Sequence, residues 1–361
     1  MFSDTLLNQK RLLTDPTADS VVKTVFESGN YQFFSQLMAQ MQKNNQAIPD
    51  DLPESVKTYF QETQTLPDWA NPKLIKQGHD FFARHAQSIT SILGYYALPY
   101  CYAAANGAEV LWLSQKIRSN TTQRLLETGQ FVLEVMAKNA FEPQGLGIRS
   151  IQKVRLMHAA VRFHVLKSGR WDIIWGQPVN QEDMAGTNLA FSFISLKGLD
   201  KLGISYTREE AEAFLHLWKV IGYMLGIDLD LLPETLKEVY ILDKRISSRH
   251  FRKSEAGIGL TKALITSFED FIPNPALKPL IPGYLRFMLG KEVADLLEVP
   301  QLASPLLDGL WFGAIKAFNV AGNSLGGFSD TQQVIHALVL QLQQQNAQRT
   351  DFQMPERLNQ N

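Results

Sequence analysis

Apolar side chains recur at intervals of three and four along most of this 361-residue chain, and strict alternation is almost absent. That spacing gathers them on one face of a helix of 3.6 residues per turn and predicts an all-α fold. With 45% hydrophobic and 20% charged residues, the chain has the means to bury a large core. Its 35 basic and 36 acidic residues leave a formal net charge of −1, which gives no electrostatic footing for a nucleic-acid partner. The single cysteine, Cys101, excludes an internal disulfide and any cysteine-built zinc or iron–sulfur cage. Within the run ALPYCYAAA it reads as a small buried hydrophobe, with a thiolate ligand formally open.

Punctuation by Gly, Pro and Asn divides the chain into a helical N-terminal extension over 1–66, a helical body over 67–346 and a Gln-rich polar tail over 347–361. In the body, breaks are expected near Gly94, Pro99 and Asn106-Gly107, and a long helix over about 151–166. The segment GRWDIIWGQPVNQED is the one place where a short hairpin is expected. TREE, Thr207 to Glu210, is a capping box opening an amphipathic helix that stops at Gly226. The N-terminus carries neither a long apolar run nor a twin-arginine pair, so a cytoplasmic location is expected. The most apolar stretch, 89–113, is interrupted by Pro99, Asn106 and Glu109, whereas a membrane span needs about 20 nearly uninterrupted apolar residues. No membrane span is expected.

His158 lies mid-helix, and residues three, four and seven away from it are Ile151, Val154, Arg155, Val161, Arg162 and Val165. A neutral imidazole in an apolar wall suits the iron of a five-coordinate haem, which needs a nitrogen lone pair and dry surroundings. Arg155 and Arg162, one turn to either side, could then pair with the two propionates. On these residues alone, a core histidine satisfied by its neighbours explains the pattern more readily, with the arginines solvated or paired with Glu134 or Glu142. The remaining histidines, His79, His85, His164, His216, His250 and His336, form no rival metal site, and HExxH, GxGxxG, P-loop and GxSxG motifs are absent.

Two segments decide between these readings: RLLET, Arg124 to Thr128, and KVRLMHAAVR, Lys153 to Arg162. An R-x-x-x-T motif followed at this interval by a histidine resembles the family of latex-clearing protein and the oxygenase MpaB. The likeness extends over roughly 72–300, through SILGYYALPYCYAAANGAEVLWLS, GTNLAFSFISL and WKVIGYMLGIDLDLLPE. The resemblance implies a globin-like helical core holding b-type haem, with His158 as the iron ligand and O2 as co-substrate at the opposite position. It implies an oxygenase acting on an apolar, unsaturated small molecule, with Arg124 and Thr128 near the haem edge.

Two departures follow from the same comparison. Where latex-clearing protein can place a lysine on the iron, this chain has Glu127, which is either a different sixth ligand or a surface residue. The family's general base is matched only by Glu109, one residue out of register, and Glu109 could instead cap the helix after Asn106-Gly107. A haem peroxidase or peroxygenase, or a haem- or lipid-binding helical protein without turnover, are the competing functions. The sequence fixes no oligomeric state.

Overall fold

The computed structural model describes residues 2–29, 41–114, 121–272 and 278–301, together with Gln32, Phe34, Gln36, Met38 and Pro275. The tail expected over 347–361 and His336 lie outside the described residues. The order is α1 (Asp4–Arg11), α2 (Pro16–Glu27), α3 (Glu54–Glu62), α4 (Pro72–Ile92), a π-helical turn (Leu93–Ala97), α5 (Leu98–Tyr102), α6 (Ala105–Leu113) and α7 (Thr121–Met136). There follow α8 (Gly147–Lys167), α9 (Gln181–Phe191), α10 (Phe193–Leu202), α11 (Arg208–Met224), α12 (Leu236–His250), α13 (Glu255–Phe271), α14 (Leu280–Leu289) and α15 (Lys291–Leu296). The fold is all-α. Among the described residues there is no strand, only an isolated antiparallel bridge between Ala104 and Phe251. No helix among them is long and apolar enough to cross a membrane.

Local chemistry sets the helix ends. Asp15 and Asn71 cap α2 and α4, each followed by a proline whose missing N–H would be unpaired there in any case. The capping box at Thr207 is formed, its hydroxyl accepting from Glu210 N while the Glu210 carboxylate accepts from Thr207 N, and Gly226 ends that segment at φ 87°. Three expectations are corrected. At Gly94 the chain does not break but widens into the π turn, whose extra residue accommodates the ring and missing donor of Pro99. The break expected at Asn106-Gly107 comes earlier, at Ala103–Ala104, where Ala103 O accepts from Arg252 N at 3.1 Å. The expected hairpin is a 3-10 turn, Ile173–Trp175. Asp172 caps it through Ile174 N at 3.1 Å, Trp171 Nε1 donates to Gly176 O at 2.9 Å, and Trp175 O accepts from the Arg11 guanidinium, so side chains take up backbone groups that a ladder would use.

The main core closes around the crossing of α4 and α11, where Phe81, Phe214, Leu217 and Trp218 are fully buried. The backbones meet closely because Gly78 has no side chain: a Cβ there would lie 2.8 Å from Ala213 O and 2.9 Å from Leu217 Cβ. A separate cluster joins α2 and α3 to one face of α8, with Val22, Val56, Tyr59 and Phe60 packed on Leu156, Ala159 and Ala160. Helix α8 is therefore clamped from that side by the N-terminal helices. In an open helix position Gly78→Ala would gain about 1 kcal/mol in propensity. Here the substitution is expected to lower the urea midpoint, a loss of about 1–3 kcal/mol from overpacking, and a raised midpoint would contradict the close crossing.

Candidate active site: an apolar cavity walled by the His158 helix

A cavity of about 720 Å³ lies between the π turn and α5 through α9, with walls from α11 to α13. Its size falls within the range of roughly 300–1,000 Å³ typical of small-molecule and cofactor sites. Helix α8 presents Val154, Met157, His158 and Val161 to it, the i, i+3, i+4, i+7 stripe of one face. Leu156, Ala159 and Ala160 face the N-terminal cluster instead. The His158 ring thus stands between dry layers. Its Nδ1 is buried with no hydrogen-bond partner, and the residue lines the cavity. Burial, reinforced by the charges of Arg162 and Arg124, pushes the imidazole down to about 4, so it is neutral near pH 7 and its lone pair is available.

The arginines flanking His158 are spent elsewhere. Arg155 Nη2 donates to Asp15 Oδ1 at 2.9 Å and Arg162 Nε to Asp19 Oδ1 at 2.8 Å, and neither residue lines the cavity. This corrects the expectation that they meet propionates, Glu134 or Glu142: their positions on α8 lie beside the cavity stripe, under the acidic first turn and cap of α2. Arg124, Glu127 and Thr128 of α7 do line the cavity. Arg124 Nη1 donates to Glu127 Oε2 at 2.8 Å and contacts Met157 Sδ at 3.5 Å, tying the motif to the residue next to His158. Thr128 Oγ1 donates to Arg124 O at 2.9 Å, bonding back to the preceding turn. Glu127 is half-buried in the wall, not a surface residue.

Glu109 is not part of the wall. On α6 the cavity stripe is Gly107, Val110, Leu111 and Ser114, and Glu109 falls outside that phase. Its carboxyl is raised above the usual range by burial and by Glu255. Besides Glu127, α7 brings Glu134 to the wall, whose Oε1 accepts from Gln130 Nε2 at 2.9 Å and whose Oε2 accepts from Ser150 Oγ. Cys101 also reaches the wall, with burial pushing its thiol up to about 12, so it carries no thiolate at neutral pH. Among the described residues no group of three or more His, Cys, Asp or Glu could hold a metal ion. Iron bound here would need a macrocycle to supply its other ligands.

Sequence reasoning did not single out three further wall residues. Asn188 Oδ1, Trp218 Nε1 and Asp243 Oδ2 are, like His158 Nδ1, buried without a hydrogen-bond partner. Buried polar groups are normally paired, so four such atoms in one wall mark a place built around a guest. Asn188 and Trp218 fall within the segments GTNLAFSFISL and WKVIGYMLG that carried the resemblance. Asp243, in ILDKR, sits among charges like any solvated helix residue and gave no local signal.

Residues 84–318 match the family described as ER-bound oxygenase mpaB/B'/Rubber oxygenase, catalytic domain, over more than half of the chain. The chain belongs to this oxygenase family. The rubber oxygenase of Streptomyces sp. (strain K30) is 24% identical over 299 residues, covering 82% of this chain and 72% of that protein. A latex clearing protein (LCP) solved in the closed state superposes with a TM-score of 0.80 at 22% identity, covering 92% of this chain and 91% of that one. In this member the R-x-x-x-T motif and His158 border one cavity, while the two arginines beside His158 brace the N-terminal helices. Asp15→Asn keeps a good helix cap but leaves the Arg155 guanidinium, of which 14% of the side chain is exposed, without its counter-charge. It is expected to cost about 3 kcal/mol in urea unfolding, and a loss below about 0.5 kcal/mol, the usual limit for an inconsequential substitution, would contradict the clamp.

Proposed function

We propose that this chain is a haem-dependent oxygenase acting on an apolar, unsaturated small molecule, with His158 as the protein ligand to the iron of b-type haem. The observation that carries this reading is a buried imidazole, one nitrogen without a partner, set in the wall of an apolar cavity. The fit is chemical: the cavity has the size for a cofactor site, and the donor set is a single nitrogen in dry surroundings, as haem requires. When bound, haem supplies the iron that activates dioxygen; the protein supplies orientation, dryness and charge.

His158 would hold the cofactor through a ring nitrogen, its helix fixed because α8 is packed on both faces. Arg124 and Lys153 are the cationic side chains that line the wall and would meet the propionates; Arg155 and Arg162, paired with Asp15 and Asp19, lie outside it. Glu127 holds Arg124 in place at 2.8 Å, so the guanidinium is oriented before any ligand enters. The apolar residues of α6 and the π turn exclude water from the chemistry and accept the hydrocarbon part of the substrate. Glu134, a wall carboxylate whose Oε2 accepts from Ser150 Oγ, would take the general-base role first expected of Glu109.

Absorption spectroscopy tests the reading. Protein expressed with ample haem precursor is expected to show a Soret band, and His158→Ala to lose at least about 90% of it while keeping the wild-type far-UV circular dichroism. A colourless wild type, or an unaltered band in the variant, would overturn the assignment. Consumption of O2 rather than peroxide with a polyene substrate distinguishes an oxygenase from a peroxygenase and from a non-catalytic haem carrier.

A further inference from the structure

The cavity has a second polar end, far in sequence from the R-x-x-x-T motif. Tyr100 of α5 donates its hydroxyl to Asp243 Oδ1 at 2.9 Å, and Ser247, one turn further along α12, shares the wall. Asp243 is only 4% exposed, and its Oδ2 is buried with no hydrogen bond. The surroundings are apolar, with Ala104, Ile246 and Phe251 in the same wall. Lys197 of α10 stands 3.5 Å from Oδ2, near enough to balance the charge but not to form a hydrogen bond. Charge is met and a lone pair is not.

A buried acceptor left unpaired is costly, and what would satisfy this one is narrowly defined. A second cation would crowd Lys197, whose ammonium already sits 5.7 Å over the Tyr100 ring and 5.4 Å over Phe193. An anion would face the carboxylate. A neutral donor entering from the cavity fits both constraints. We propose that Asp243 Oδ2 anchors a hydroxyl group of the substrate, so that the cavity takes an unsaturated alcohol, its chain along the apolar wall and its oxygen on Asp243, in preference to a pure hydrocarbon. This rests on the oxygenase reading and refines its substrate class.

The test is calorimetric titration of the full-length protein, haem-loaded as purified, with farnesol, farnesyl methyl ether and farnesylamine. Farnesol is expected to bind about 10- to 100-fold more tightly than its methyl ether, the value of a hydrogen bond to a charged acceptor, although the ether is the more apolar ligand. The amine is expected to bind no better than the ether. In Asp243→Asn, Tyr100 retains the carbonyl oxygen as its acceptor, so the amide NH2 takes the place of Oδ2 and the acceptor is lost. The alcohol preference should then fall below about threefold, because the new NH2 donates to an ether oxygen as readily as to a hydroxyl oxygen. Equal affinities in the wild type, a preference for the amine, or a preference that survives Asp243→Asn would each overturn the proposal. If the variant does not fold, the wild-type series decides alone. Haem content, read from the Soret band of the same samples, reports on the oxygenase reading separately, because the ligand ratio is a binding measurement that colourless protein also yields.

Discussion

Two-sided burial of α8 is the constraint on which the site depends. One face packs on Val22, Val56, Tyr59 and Phe60 from the N-terminal helices, and the opposite stripe walls the cavity. A helix held this way cannot rotate without exposing apolar surface on one side and forcing arginines into the core on the other. Asp15 and Asp19 hold Arg155 and Arg162 beside the cavity stripe, so His158 is the uncharged nitrogen base that α8 offers there. Low dielectric and nearby guanidiniums then keep it neutral. Fold and electrostatics thus cooperate to leave one ligating nitrogen in an apolar wall.

Charge is distributed unevenly along that wall. Arg124, Lys153, Glu127 and Glu134 come from α7 and α8, near the imidazole, whereas Tyr100, Asp243 and Ser247 come from α5 and α12. Between them the surface is mostly hydrocarbon. Such a cavity is suited to an elongated apolar guest and to a cofactor with an acidic edge, each oriented by a few polar groups rather than by total polarity.

Much of this was legible in the sequence, for physical reasons that can be named. Helices follow from periodicity, and the capping box at Thr207 or the stop at Gly226 are set by residues within one turn. The pairing of Arg124 with Glu127 and the bond from Thr128 to Arg124 O are equally local. Long-range partners were not legible: nothing near Arg155 in the chain points to Asp15, 140 residues away. Helix phase misled at Glu109, where a one-residue offset turns a side chain by about 100° and takes it out of the wall. The segment at Trp171–Trp175 has strand-forming residues, yet the Asp172 cap, the Trp171 bond and the distant Arg11 guanidinium take up its polar groups in place of a partner strand. Asp243 became visible only as an atom without a partner, a property that exists in three dimensions alone.

The account stands on iron coordination by one nitrogen of His158. The most direct measurement is the resonance Raman spectrum of the ferrous protein, prepared with natural and with 15N-labelled histidine. A low-frequency iron–imidazole stretching band that shifts on labelling is the predicted result. A haem-containing protein with no isotope-sensitive band in that region would contradict it.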